Sequence, residues 1–304
     1  MDVFERDFYE ERRRSWRRSA FWKGFVVAAI LAGIIAALIL PSAFEARGVH
    51  VARYSVSGVI TDDPERDRLI RDLAEDDAVR AVVVRINSPG GTTAGSEALY
   101  ETLRAVAETK PVVAVMSEVA ASGGYVAAIA ADHIVARGNT LTGSIGVIME
   151  YPDLTGLIDR LGIGIETVRS SELKAEPSPY RPTNPEARAR DEAMIEDSYQ
   201  WFRGLVGERR DLSGAGLDSV ANGGVFSGRQ ALESGLVDEI GGEPEALAWL
   251  ESRETGLGDL PVREWQVERD DGIVAGILGR VASTGGILTE ISTRTGAKLY
   301  SIMR

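Results

Sequence analysis

One short run of β-branched residues limits the fold more than any other feature of the sequence. The run AVVVRI, residues 81–86, is almost uninterruptedly apolar, which is typical of a strand buried on both faces of a parallel sheet. Amphipathic helical patterns cover residues 63–76 and 95–108, and another apolar run, PVVAVM, covers residues 111–116. This alternation predicts an α/β fold in which helices cover both faces of a parallel sheet.

The same alternation continues along the chain. No repeat of fixed period and no low-complexity linker interrupts it. We expect further strands at VARYSVSGVI (51–60), HIVA (133–136) and SIGVIM (144–149), and further helices at residues 182–210 and 227–235.

The composition excludes several classes of protein. The chain has 304 residues and no cysteine, so disulfides and thiolate metal sites are excluded. A formal charge of −12 argues against nucleic-acid binding, which needs a basic face. No HExxH or HxxEH motif is present, which excludes the zinc peptidases that use one. Only four of the 34 basic residues are lysine; salt adaptation and a GC-rich genome both explain this, and the sequence does not separate them.

An uncharged apolar segment lies near the N-terminus. Residues 24–40 would span roughly 26 Å as a helix, and flanking aromatic residues extend the apolar band towards the bilayer thickness of about 30 Å. Basic residues precede the segment, so the positive-inside rule places residues 1–23 in the cytoplasm and the rest outside. A cleaved signal peptide is the alternative, but its core would be shorter, and PSAFEA offers no clean A-x-A site.

These patterns divide the chain into four parts. We expect a basic cytoplasmic N-terminus (1–23), a single transmembrane anchor (24–44), an extracytoplasmic domain (49–253) and a C-terminal extension (254–304). The extension contains the strand-like VREWQV and a glycine-interrupted apolar stretch.

A serine lies on a turn of small residues in SEVAASGGY, residues 117–125. A small-x-Ser-Gly-Gly turn between a strand and a helix would raise the Ser122 hydroxyl above the sheet, with the Gly123 N–H directed at the group under attack. The alternative is that Ser122 caps the helix that follows. The sequence alone leaves both interpretations open.

Two other loops carry candidate site residues. NSPGGTTAGS, residues 87–96, follows the buried strand, and its glycines would expose backbone N–H groups at the carboxyl end of the sheet; a tight turn that needs positive φ is the alternative. SELKAEPSPYRP, residues 171–182, carries Lys174 in a chain that otherwise uses arginine. A solvated surface lysine is the plain interpretation, but a lysine can lose its proton and act as a base, whereas arginine cannot.

Histidine is a poor candidate for the base that a serine nucleophile needs. His50 closely follows the apolar segment, and His133 lies only 11 residues after Ser122, across a helix that points away from it. A Ser-His-Asp triad is therefore disfavoured.

Five motifs in order resemble the signal peptide peptidase A (protease IV) family of Ser/Lys serine peptidases. They are NSPGG, SEVAASGGY, TGSIGV, ELK with SPYRP, and FSGRQALESGLVDEIGG, and the resemblance covers about residues 51–250. It implies a ClpP/crotonase-like fold of repeated β-β-α units, preceded by one transmembrane helix. This chain resembles the short, single-copy members, in which subunits of a ring share active sites.

The resemblance also implies a role for individual residues. Ser122 would be the nucleophile and Lys174 its general base, while Ser144 would orient the lysine. Gly91 and Gly123 would supply the N–H groups of the oxyanion hole. No cofactor or metal is implied.

The expected function is therefore that of a membrane-anchored serine endopeptidase. It would degrade cleaved signal peptides and other peptides at the outer face of the cytoplasmic membrane. Its partners would be peptide substrates, membrane lipid through the N-terminal helix, and further copies of the chain in a ring, with no nucleic acid. Two alternatives remain: a crotonase-type acyl-CoA enzyme, and a catalytically inactive membrane scaffold of the same fold.

Overall fold

A computed structural model describes residues 22–23, 25–31 and 48–267. Most of the expected cytoplasmic N-terminus, most of the expected anchor and most of the C-terminal extension lie outside the described residues. Within the described part, no helix combines the length and the apolar character that crossing a membrane requires.

Residues 48–267 form strands and helices in alternation, as the sequence predicts. The strands are β1 (His50–Ile60), β2 (Val79–Gly91), β3 (Val112–Ala121), β4 (His133–Ala136), β5 (Leu141–Gly143), β6 (Val225–Ser227), β7 (Glu239–Ile240) and β8 (Val262–Trp265). The helices are α1 (Pro64–Glu75), α2 (Thr93–Ala107), α3 (Gly123–Ile129), α4 (Thr155–Leu161), α5 (Pro185–Arg210), α6 (Gly214–Val220), α7 (Gly228–Glu233) and α8 (Glu243–Arg253).

The strands form one mostly parallel sheet. Its main order is β6-β5-β3-β2-β1-β8, and β4 pairs with both β3 and β7. The pairing of β5 with β6 is antiparallel, and the other pairings are parallel. The predicted α/β class with a parallel sheet is therefore confirmed.

The sheet is buried on both faces. On one face, Val82, Val84 and Ile86 of β2 belong to the core cluster that includes residues of α1, α2 and α3. On the other face, Ala81 and Val83 belong to a second cluster, which includes Ala246 and Leu250 of α8. Side chains of alternate β2 residues thus enter opposite cores, which explains why AVVVRI has no polar alternation.

Two sequence-based assignments are wrong. The motif SIGVIM is not a strand: β5 ends at Gly143, and Ser144 has a left-handed φ of 51°, which breaks the extended backbone. Its N–H donates to Gly224 O (2.7 Å). Residues 87–91 are not a loop either, because β2 continues through them and Gly91 pairs with Ile60 of β1.

The sheet also includes a strand beyond residue 253. Strand β8 pairs in parallel with β1, with Val51 opposite Val262 and Tyr54 opposite Trp265. The boundary of the extension at residue 254 stays a prediction, but the chain contributes to the sheet as far as Trp265.

Candidate active site

Ser122 lies on a sharp turn between β3 and α3. Its φ of 52° and ψ of −121° are rare for a residue with a side chain and cost on the order of 1–3 kcal/mol. Its N–H donates to Gly143 O of β5 (2.8 Å), which fixes the turn to the neighbouring strand. The side chain makes no capping hydrogen bond to α3, so the helix-cap interpretation fails.

A bulge in β3 sets the position of the serine relative to β2. Ile86 lies opposite Met116, but Ser88 lies opposite Ala120, so β3 advances by four residues while β2 advances by two. Continued by two residues, the shifted register places Gly90 opposite Ser122. The side chain of Asn87 supports the bulge, because its Oδ1 accepts the Val119 N–H (3.2 Å).

Gly90 is the residue that lies against Ser122. A Cβ on Gly90 would lie 2.7 Å from Gly123 N and 2.9 Å from Ser122 Cβ, so no side chain fits there. The Gly90 N–H donates to Ser88 Oγ (3.1 Å), and that buried hydroxyl donates to Gly58 O of β1 (2.6 Å). The sequence analysis identified the segment NSPGG but did not indicate a role for Gly90 or Ser88.

The two glycines with predicted oxyanion roles are also closely packed. A Cβ on Gly91 would lie 1.8 Å from Ile60 O, so β1 excludes a side chain there. A Cβ on Gly123 would lie 2.1 Å from Ser96 Oγ, and Ser96 is buried and donates to Thr92 O (2.9 Å). Gly123 therefore allows α2 to approach the serine turn closely, whereas Gly91 allows β1 to approach β2.

Ser144 is next to the serine turn. It follows Gly143, whose carbonyl accepts the Ser122 N–H, and its own φ is 51°. Among the described residues, the non-glycine positions with positive φ are Ser122, Ser144, Ala175 and Asp211. Three of these four are predicted site residues or, like Ala175, the immediate neighbour of one.

Lys174 is not brought to Ser122 by a contact within one chain. It is exposed in the loop between α4 and α5, and its backbone N–H donates to Ser171 O (3.2 Å). In the part of the chain that the structure describes, its ammonium group has no hydrogen-bond or ion-pair partner. Ser122, Ser144 and the glycines thus lie close together in one chain, whereas Lys174, the predicted base, makes no contact with Ser122.

Both histidines lie at the amino-terminal ends of strands and contact other side chains there, whereas Ser122 follows the carboxyl end of a strand. His133 lies opposite Val113 of β3. Val113 precedes Ser122 by nine residues, which corresponds to about 30 Å of strand. Its ring stacks on Trp249 (5.0 Å), and Nε2 lies 3.2 Å from Glu239 Oε2. His50 Nε2 accepts the Trp265 indole N–H (3.1 Å). These contacts support the argument against a Ser-His-Asp triad.

A cavity opens on the face of the sheet that α8 partly covers, and Ser122 does not line it. Its volume is about 830 Å³, and it is lined by polar residues such as Arg85, Arg137 and Asn139 together with apolar residues such as Val115 and Leu141. Among the described residues, no group of three or more His, Asp or Glu side chains could hold a metal ion.

Comparison with known proteins identifies a matching family and similar relatives. The model of peptidase family S49 matches residues 104–257. A candidate protease of Methanocaldococcus jannaschii is 37% identical over 205 residues, 67% of this chain and 66% of that one. The chloroplastic serine protease SPPA of Arabidopsis thaliana is 34% identical, over 77% of this chain and 36% of its own. A protein of Enterococcus faecium, named as a candidate signal peptide peptidase SppA, is 30% identical, over 80% and 75%.

Replacing Gly90 by alanine should disable the site without unfolding the protein. Its Cβ would collide with the backbone beneath Ser122, so labelling of Ser122 by a fluorophosphonate should slow by about 10-fold or more. Gly256→Ala is the matched control, because Gly256 has a similar φ of 91° but nothing within 4 Å of its Cβ position. Equal labelling rates of the two variants would contradict the assigned contact.

Proposed function

Because the chain belongs to peptidase family S49, a family of serine peptidases, we propose that it is a membrane-anchored endopeptidase with a Ser/Lys dyad. Ser122 is the nucleophile, Lys174 the general base and Ser144 the residue that orients the lysine. The substrates are peptides, among them signal peptides already released from exported proteins. The relatives support this choice of substrate, since one of them is named for signal peptides.

The observation that carries the proposal is the grouping of unusual backbone conformations. Ser122, Ser144 and Ala175, which follows Lys174, hold three of the four positive φ angles among described non-glycine residues. Such conformations are costly and persist where the surrounding structure enforces them, often at sites of chemistry. A structural serine or a surface lysine would not need them.

The reaction follows from these positions. Lys174 removes the proton from the Ser122 hydroxyl, whose oxygen then attacks the carbonyl carbon of the scissile peptide bond. The N–H groups of Gly91 and Gly123 hold the oxyanion, a contribution worth about 3–4 kcal/mol in comparable sites. The lysine returns the proton to the leaving amine, which leaves an acyl-enzyme. Water, deprotonated by the same lysine, hydrolyses that ester and restores the serine.

A lysine can act as this base only when it is desolvated. A free lysine side chain has a pKa near 10.4, and lowering the pKa of such a group to about 7–8 requires roughly 4 kcal/mol of unfavourable burial. Lys174 is exposed in the single chain, so another surface must cover it. We assign that role to a second copy of the chain, in a ring whose subunits share active sites.

The segment that carries Lys174 has the composition of a contact surface between two copies of the chain. We call residues 146–186 the arm. No residue of the arm is buried in the single chain when its backbone is counted together with its side chain. Nine of its large apolar side chains are exposed, which leaves apolar surface that a second chain can cover. They are Ile148, Met149, Tyr151, Leu157, Leu161, Ile163, Ile165, Val168 and Tyr180.

The proposed fold is of the ClpP/crotonase type, which the parallel sheet and the two helical layers support.

The proposal also includes a membrane topology. Residues 24–44 anchor the chain once in the cytoplasmic membrane, with the N-terminus in the cytoplasm and the catalytic domain outside. The apolar run of 24–40 and its basic flank support this topology.

The two alternatives have weaker support. An acyl-CoA enzyme of the crotonase type would give Ser122 and Lys174 no role. An inactive scaffold would have no reason to keep the strained turn at Ser122. Labelling the purified protein with a fluorophosphonate and mapping the modified residue separates the peptidase from both alternatives, because only the peptidase should be modified at Ser122.

Substitution of either dyad residue should abolish hydrolysis of signal-peptide-derived substrates. Ser122→Ala removes the nucleophile, and Lys174→Ala removes the base; Lys174→Arg should be equally inactive because arginine keeps its proton. Initial rates of peptide cleavage would be compared, with circular dichroism as the control for folding. Substantial activity in Lys174→Arg would contradict the general-base role.

The two inactive variants should complement each other when they are assembled together. If the serine and the lysine of one site come from different subunits, co-assembly of Ser122→Ala with Lys174→Ala chains produces some intact pairs. Activity should return after joint dissociation and reassembly, but not after finished assemblies are simply mixed. If the reassembled mixture stays inactive while wild-type chains treated in the same way recover, the dyad belongs to one chain.

The proposed topology can be tested with an external protease. In intact cells, the protease should reach a tag placed after residue 45 but not a tag fused to residue 1, because the basic flank keeps the N-terminus inside. Immunoblots of the two tags, before and after detergent is added, give the readout. Loss of the N-terminal tag without detergent would reverse the assigned orientation.

A further inference from the structure

The arm lacks the usual source of structural order. Since no residue between 146 and 186 is buried, hydrophobic burial does not fix its shape within one chain. Helix α4, which lies inside the arm, likewise buries none of its residues. Some other interaction must therefore hold the Lys174 loop in one conformation.

One side chain of the arm is enclosed, and it is charged. The Glu176 side chain is 2% exposed, whereas that of nearby Glu172 is 84% exposed. Glu176 Oε1 lies 2.5 Å from Arg169 Nη1 and 2.8 Å from Arg181 Nε. Its Oε2 accepts the Ser178 N–H (3.1 Å). Both carboxylate oxygens are thus used.

These contacts close a loop around the proposed base. Arg169 precedes Lys174 by five residues and Arg181 follows it by seven, so Glu176 joins the two ends of the segment that contains it. Only Ala175 separates Lys174 from Glu176, and its φ of 61° defines the direction of the chain between them. A displacement of Glu176 would therefore move the lysine.

The charge of Glu176 is secure at neutral pH. The hydrogen bond from Arg169 lowers the pKa of Glu176 below its ordinary value; burial opposes this effect less strongly, and the positive charge of Arg181 lowers the pKa further. A lowered pKa means that the contribution to stability is present above the ordinary value and lost only as the pH falls through the lowered one. Glu176 stays ionised wherever a base lysine would titrate.

We propose that Glu176, held between Arg169 and Arg181, is a positioning residue that sets the loop of Lys174 for proton transfer. The inference rests on the proposed function, because it assigns Glu176 a role through the lysine. The carboxylate does not touch the substrate; it fixes the backbone from which the base extends. Proton transfer depends steeply on such placement, so a small displacement lowers the rate of the chemical step rather than the affinity for substrate.

The test compares two single substitutions in the full-length protein. Glu176→Gln removes the enclosed charge, while Glu172→Gln removes an exposed one that also contacts Arg169 (2.7 Å). Glu176→Gln should lower kcat by about 10-fold or more and leave KM within about twofold. Glu172→Gln should behave as wild type. Steady-state peptide hydrolysis gives both constants.

The pH profile separates positioning from a merely structural role. A displaced lysine is less desolvated, so the acid limb of kcat/KM for Glu176→Gln should move to higher pH. A partly unfolded variant would instead lose activity equally at every pH. If Glu176→Gln does not fold, Arg181→Gln serves in its place, since it keeps the Arg169 contact; the same shift supports the proposal and an unchanged profile overturns it.

The outcomes also distinguish this inference from the dyad itself. Wild-type kcat and pH profile in Glu176→Gln, together with an inactive Lys174→Ala, would overturn the positioning role and leave the dyad standing. An active Lys174→Ala would overturn the dyad. A fall in kcat with a shifted acid limb, found for Glu176→Gln and not for Glu172→Gln, supports the positioning role.

Discussion

The bulge that shifts β3 against β2 is the constraint on which the serine site depends. Without the shift between Ile86 and Ser88, the register would place Gly90 opposite Ala120 instead of Ser122. Asn87 accepts the Val119 N–H, and Ser88 joins the Gly90 N–H to the carbonyl of Gly58. The polar residues of NSPGG therefore hold backbone groups that a regular parallel ladder would have paired.

The sequence predicts the layout of the fold because burial leaves a periodic pattern. The β-branched run at 81–86 and the amphipathic run at 63–76 correspond to β2 and α1. The sequence-based prediction fails where a single hydrogen bond determines the backbone conformation. SIGVIM has the composition of a strand, but the left-handed Ser144 ends β5. Strand propensity does not predict this conformation, because it depends on a hydrogen bond to Gly224 O, which is distant in sequence.

The site could be predicted only in part, because contacts between distant segments determine it. The motifs indicate Ser122, Gly123 and Lys174, but the sequence does not show which of the two adjacent glycines in NSPGG contacts the serine turn. Their difference is three-dimensional: Gly90 faces the serine turn and Gly91 faces Ile60 of β1. Glu176 was not foreseen either. A glutamate in a proline-rich loop is normally solvated, and its burial depends on Arg169 and Arg181 at both ends of that loop.

Different interactions stabilise the Ser122 turn and the Lys174 loop. The Ser122 turn is packed against a hydrophobic sheet, where even one additional carbon atom on Gly90 or Gly123 would collide with neighbours. The Lys174 loop has no apolar core and depends on one enclosed carboxylate. Ion pairs keep a definite geometry without burying apolar side chains. The arm can thus keep its loop in shape while its apolar side chains stay available for the second copy that would desolvate the lysine.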